Sequence, residues 1–213
     1  MSSFKTYLTN LWRNRFGQIS PKSELGRWIQ LISSIDEVVN IVEIGCWNGK
    51  GSSRRIIEGG KLSIKYLDKK VVGLESNIKM YKQAKRNLRR FQNYSVIWGS
   101  IVGVSQLDNQ DLNPLEIEWF KNDVMSLQNC PNVISKIPEK IDLLILDGGE
   151  FSSYSEFKLL YSRIEGWIIL DDTLVRKNRR VFSELLKDPS FNLVRSGKQR
   201  NGFAIFSKVF LNV

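Results

Sequence analysis

In Val42-Glu43-Ile44-Gly45-Cys46-Trp47-Asn48-Gly49-Lys50-Gly51-Ser52-Ser53 an apolar run ends in an acidic residue, enters a glycine-punctuated turn and continues as a segment fit for a helix. Glycines let a backbone turn tightly and approach a ligand. The pattern is that of a strand delivering a small, nucleoside-type ligand to its carboxyl end.

Outward from that turn the chain alternates strand and helix. Val38–Ile44 is a short β-branched run suited to a buried parallel strand, followed by a helix over Ser52–Glu58. Lys70–Glu75 and Tyr94–Trp98 read as the next two strands, with a strongly basic helix over Ile78–Phe91 between them. Ile141–Asp147 and Trp167–Asp171 are two more, each leading into a helix, near Ser153–Arg163 and Asn178–Leu186. Phe191–Arg195 and Phe203–Lys208, joined by the polar turn Ser196–Gly202, read as a closing antiparallel hairpin. The expected fold is α/β: three layers, Rossmann-like, with a seven-stranded, mostly parallel sheet and a terminal antiparallel hairpin.

Two segments stand outside this alternation. Residues 1–20 place Leu8, Leu11, Trp12 and Phe16 at helical spacing, a short helix that packs on the domain or covers its site. Ser20-Pro21 then signals a helix start, with Trp28, Leu31 and Ile32 as its apolar face. Gly99–Lys140 is longer than a helical crossover requires and carries Asn113-Pro114, Trp119, Phe120 and Cys130-Pro131. It reads as a helix plus loops near the ligand edge.

Composition bounds the chemistry. The 213 residues suffice for one well-buried domain. Apolar runs fall short of a membrane span, and the N-terminus lacks the apolar core of a secretory signal. Two cysteines, Cys46 and Cys130, make no disulfide framework, so a reducing, cytoplasmic location is the expectation. A net charge of +10 favours anionic partners. The absence of histidine removes the commonest general base and the commonest transition-metal ligand. Any metal would be held by oxygen, as Mg²⁺ or a similar divalent cation is.

Ligands of open α/β sheets bind outside the carboxyl ends of the strands. The strand tips deliver Glu43 with the glycine turn, Glu75, Gly99-Ser100-Ile101, Asp147-Gly148-Gly149-Glu150 and Asp171-Asp172-Thr173. Glu75 is placed to accept hydrogen bonds from both hydroxyls of a ribose. Tips of adjacent strands lie about 5 Å apart, so Asp147, Asp171 and Asp172 could converge on one hard cation. The alternative is ordinary strand-end and helix-capping work. Arg176-Lys177-Asn178-Arg179-Arg180, just after the fifth tip, would suit an anionic acceptor, with Arg54, Arg55, Lys198 and Arg200 as further members of that surface. Lys79, Lys82, Lys85, Arg86, Arg89 and Arg90 lie along one helix and read as its solvated face.

Gly45, Gly49 and Gly51 space as G-x-x-x-G-x-G, unlike the dinucleotide fingerprint. Together, Glu43, Gly45, Gly49 and Glu75 resemble the S-adenosylmethionine site of class I methyltransferases, over roughly Val38–Lys208. EIGCWNGKGSS, LILDGGEF and IILDDT look most like the O-methyltransferases that modify sugars and antibiotics, which often use a divalent metal. The resemblance implies a methyltransferase domain over 38–213, with an insertion at about 101–140, behind an N-terminal helical segment over 1–37. It assigns Glu43, Gly45, Cys46, Trp47, Gly49, Ser52, Glu75, Ser76, Ser100 and Asp147 to the cofactor. Asp147, Asp171 and Asp172 go to a metal or to orienting the acceptor, and Arg176, Lys177 and Arg179 to the acceptor itself. Metal-dependent relatives commonly carry a histidine shortly after the fourth-strand aspartate; here Glu150 stands there, a candidate base beside Asp147. The acceptor expected is a small or glycan-like molecule. An RNA methyltransferase and a non-catalytic protein that keeps the cofactor pocket are the two alternatives.

Overall fold

The computed structural model describes residues 19–209, so the helix expected around Leu8, Leu11, Trp12 and Phe16 lies outside the described residues. The elements follow in order: α1 (Glu24–Ser33), β1 (Asn40–Ile44), α2 (Ser52–Gly60), β2 (Lys70–Glu75), α3 (Ile78–Leu88), β3 (Tyr94–Trp98) and α4 (Pro114–Gln128). Then come β4 (Ile141–Leu146), α5 (Ser153–Leu160), β5 (Ile164–Asp171), α6 (Arg176–Leu185), β6 (Phe191–Gly197) and β7 (Phe203–Lys208). The seven strands form one sheet in the order β3-β2-β1-β4-β5-β7-β6. All neighbours are parallel except β5–β7 and β6–β7, so the hairpin closes the sheet antiparallel as expected.

β4 shows why the sheet sits in the middle. Its alternate residues feed two cores: Leu144 and Leu146 pack with Phe157, Leu160, Val181 and Leu185 of α5 and α6. Leu143 and Ile145 pack with Ile29, Ile32 and Ile56 of α1 and α2. A strand buried on both faces must be apolar throughout, and β4 is so apart from Asp142. That aspartate has its own task. Its Oδ2 accepts the N–H groups of Val39 (3.0 Å) and Asn40 (2.7 Å), which starts the β1 ladder at Asn40 rather than at Val38.

Other boundaries shift for local reasons. α1 starts at Glu24, because Ser23 is its cap, accepting from the Gly26 N–H at 3.1 Å. The Ser20 carbonyl instead accepts the Ser23 hydroxyl at 2.7 Å, so Ser20-Pro21 forms the turn ahead of the helix. The buried stripe of α1 is Leu25, Ile29 and Ile32, and Leu31 points to solvent. β5 begins three residues earlier than its apolar run, because Gly166 lets the strand pass within contact of the Asp142 carbonyl, where a Cβ would meet oxygen at 2.3 Å. The long segment before β4 holds α4. Asn113 accepts from Leu115 and Glu116 while Glu116 takes the Asn113 N–H, a capping box with proline at the first turn. No described helix is long and apolar enough to cross a membrane.

Candidate functional site

A cavity of about 740 Å³ opens at the carboxyl edge of the sheet. Its floor is the glycine turn. Gly45 and Gly49 have φ of 85° and 74°, and Trp47 between them has φ 48°, so three of five successive residues hold left-handed backbone. Gly45 is where β1 and β4 approach each other, its N–H bonded to the Leu74 carbonyl and its Cα beside the Asp147 carbonyl. Ile44, Gly45, Cys46, Trp47, Gly51 and Ser52 line this side.

The turn is locked to the tip of β2 by Glu75. The Trp47 N–H donates to Glu75 Oε2 at 2.8 Å and the Asn77 N–H to Oε1 at 2.8 Å. Two backbone donors leave further lone pairs of this carboxylate to face the cavity it lines. Burial pushes Glu75 up to about 7, against the two N–H groups that favour its charged form. Ser76 and Ser100 also line the cavity; the Ser76 carbonyl receives the Trp98 indole N–H at 3.0 Å, and the Ser100 hydroxyl accepts from the Val102 N–H at 3.1 Å. Burial, then the nearby carboxylates of Glu43 and Glu75, push the Cys46 thiol up, which leaves it a neutral packing group.

Two of the residues expected at the cofactor are placed elsewhere. Gly49 packs against Leu88 of α3, and its neighbours Gly51 and Ser52 reach the cavity instead. Glu43 lies under the turn on the α1–α3 side of the sheet, fully buried, where its Oε2 accepts from the Ser53 hydroxyl at 2.7 Å and from the Tyr94 hydroxyl. Burial pushes its carboxyl up to about 7. The folded protein therefore holds this proton where the unfolded chain, near 4.5, has lost it, and stability falls as pH rises from 4.5 to about 7. Glu43→Gln, which mimics the protonated form, is expected to gain about 3 kcal/mol relative to the native chain between about pH 5 and about pH 8. Urea unfolding at both pH values measures it; an equal difference at the two would refute it.

The far side of the cavity is acidic. Asp147, Asp171 and Asp172 offer carboxylate oxygens within 4.8 Å of one another, as the strand tips implied. Asp172 holds φ 59°, an uncommon conformation for a residue other than glycine and one that clusters at functional sites. The convergence is already counter-charged. Lys177 Nζ lies 2.5 Å from Asp147 Oδ1 and 3.2 Å from Asp172 Oδ2, and Arg200 stands 3.1 Å from Asp171 Oδ2. Burial alone would lower the Lys177 pKa; the carboxylates of Asp147, Asp172 and Asp171 outweigh it and hold the ammonium charged. With an ammonium between the carboxylates, this donor set does not fit a divalent cation.

The other expected acceptor residues do not line the cavity. Arg176 reaches Glu116 Oε1 (3.1 Å) and Asp108 Oδ2 (3.2 Å), tying α6 to the segment around α4. Arg179 is solvent-exposed. Glu150 does not line the cavity, and its Oε1 accepts the Lys177 N–H at 3.1 Å at the start of α6.

Two cavity acids escaped the sequence reading. Asp123 of α4 lines the cavity and accepts the Phe151 N–H at 3.3 Å. Glu156 of α5 lines it too, 4% exposed, with Oε2 lacking any hydrogen-bond partner. Burial pushes Glu156 up to about 7, opposed by the Ser152 hydroxyl and raised further by Asp123. An acid in the first turn of a helix reads from sequence as a helix-dipole partner, which is why this one gave no signal.

No family model matches the chain, and no curated protein matches it. Solved structures do. An O-methyltransferase from Bacillus cereus in complex with S-adenosylhomocysteine superposes with a TM-score of 0.62 at 18% identity, over 98% of this chain and 91% of that one. An S-adenosylhomocysteine-bound methyltransferase from Podospora anserina gives 0.59 at 16%, over 86% and 77%. An rRNA methylase from Streptococcus thermophilus gives 0.52 at 14%, over 88% and 98%. The chain has the class I methyltransferase fold, with an acid-lined cavity at the carboxyl edge of its sheet.

Proposed function

We propose that this chain is an S-adenosylmethionine-dependent O-methyltransferase acting on a small or glycan-like acceptor. The observation that carries the reading is Glu75: a buried carboxylate at the tip of β2, held by the glycine turn and turned to the cavity, where a ribose diol would donate to it. The turn from Gly45 to Ser52 would hold the amino-acid part, and Ser100, beyond β3, would lie beside the adenine. When bound, the cofactor would supply a methyl group from its sulfonium sulfur and leave as a neutral thioether.

The protein has two tasks, alignment and removal of one proton. The proton of the acceptor hydroxyl would pass to the carboxylate of Glu156, which lines the cavity. Three features support Glu156 over Asp147 and Glu150 as this base. It lines the cavity, one of its oxygens is unpartnered, and burial has moved its pKa to about 7. Asp147 is engaged by Lys177, and Glu150 by the Lys177 N–H.

Calorimetric titration with S-adenosylhomocysteine tests the assignment. Glu75→Ala is expected to weaken binding about 10- to 100-fold, the worth of hydrogen bonds to a charged group. Undiminished affinity in that variant, or no binding by the native chain, would sink it.

One observation favours an RNA acceptor: Lys79 lines the cavity at the start of α3, whose exposed face carries Lys82, Lys85 and Arg86, with Arg89 and Arg90 exposed in the turn that follows. That reading requires RNA affinity that falls steeply with salt, together with methyl transfer to the bound RNA.

A further inference from the structure

We propose that Lys177 is a built-in cation: its ammonium takes, within the Asp147–Asp171–Asp172 cluster, the place of a divalent metal and presents its remaining N–H to the acceptor oxygen. The role in transfer rests on the methyltransferase reading; the exclusion of metal does not.

The backbone around Lys177 fixes it at this point. The Lys177 N–H donates to Glu150 at 3.1 Å, and the adjacent Asn178, fully buried, donates from Nδ2 to the carbonyls of Leu146 (3.0 Å) and Asp171 (2.6 Å). The first turn of α6 is thereby pinned to the ends of both β4 and β5, the strands that carry the three aspartates. The Lys177 side chain is 8% exposed and bonded to two of them, Asp147 and Asp172. A cation bound by oxygens at about 2.0–2.6 Å would need the space the ammonium fills. It would also meet donors already largely counter-charged, since Lys177 and Arg200 set two positive charges against three carboxylates.

The arrangement also gives the lysine a task. An ammonium has three donors. Asp147 and Asp172 take two, and the third has no partner among the described residues. Because Lys177 lines the cavity beside Asp147 and Asp172, that third donor can meet an acceptor oxygen and stabilise the charge that develops as its proton leaves. A metal would perform the same service as a Lewis acid; here a side chain of α6 supplies it.

Titration with Mn²⁺ alone, followed by calorimetry, tests this without cofactor or acceptor. The native chain is expected to show no saturable binding up to millimolar Mn²⁺, and Lys177→Ala, which frees the carboxylates, to bind at least tenfold more tightly. Adding Asp171→Asn to that variant should remove the gained site. Saturable Mn²⁺ binding by the native chain that Asp171→Asn abolishes would overturn the proposal. So would a Lys177→Ala chain that melts cooperatively yet gains no Mn²⁺ site. If Lys177→Ala does not fold, the native titration decides, and Lys177→Met, which keeps the packing of the stem, replaces it. The S-adenosylhomocysteine titration is independent of all these outcomes, so a failed cofactor assignment and a failed lysine assignment are told apart.

Discussion

Glu156→Gln is expected to lower the methyl-transfer rate by about 10²- to 10⁴-fold, the usual contribution of a positioned general base. Affinity for S-adenosylhomocysteine should stay within about threefold, because the cofactor is assigned to the Glu75 side of the cavity and Gln keeps the shape of the side chain. The pH profile separates a base from a packing group. Glu156 must be ionised to accept a proton, and burial has raised its pKa to about 7. The native rate should therefore climb through pH 7 and level off above it, and the Gln variant should lack that limb. Measurement requires an acceptor, found by screening sugar nucleotides and glycans for product release. A Gln variant with full rate, or a native profile flat through neutrality, would remove Glu156 from the mechanism and return the role to Asp147.

The same residue marks the boundary of what the sequence discloses. β4 was legible because a strand buried on both faces must be apolar along its length, and Ile141–Leu146 is so at every position but one. Glu75 was legible because an acid that directly ends such a strand falls at the ligand edge. Cavity position beyond the strand tips was not, because it depends on helix rotation. Arg176, Lys177, Arg179 and Arg180 read as one basic run, yet the turn of α6 sends Lys177 into the aspartates, Arg176 to Glu116 and Arg180 over the Tyr154 ring. Leu31 fits the apolar rhythm of α1 on paper and lies on its solvent side. Glu43 shows the limit from the strand side. It precedes the tip by one residue, and with a side-chain period of two it faces Ser53 and Tyr94 beneath the turn while Ile44 reaches the cavity. The three acidic tips do converge, and the strand pattern gave no sign that Lys177, five residues beyond Asp172, would be brought back between Asp147 and Asp172 by the helix start.

Gly45→Ala should be strongly destabilising, at roughly 4 kcal/mol or more. Two costs combine. At φ 85° an L-residue pays about 1–2 kcal/mol for its Cβ against the following carbonyl. That Cβ would also lie 2.2 Å from the Asp147 carbonyl oxygen and 2.7 Å from Gly148 Cα, both backbone, so no side chain can swing aside. Relief requires parting the tips of β1 and β4, which carry the glycine turn and Asp147, so S-adenosylhomocysteine binding should fall with stability. Gly60→Ala supplies the contrast. It closes α2, where a Cβ would meet the Lys69 and Tyr66 side chains at 3.4 and 3.5 Å, ordinary contact distances. There the methyl restrains the unfolded chain and favours the helix, and the variant should be more stable by about 0.5–1 kcal/mol. Denaturant midpoints of the two variants against the native chain measure both signs at once. Equal midpoints for Gly45→Ala and the native chain would mean that β1 and β4 do not meet at this glycine, and the floor of the cavity would have to be drawn differently.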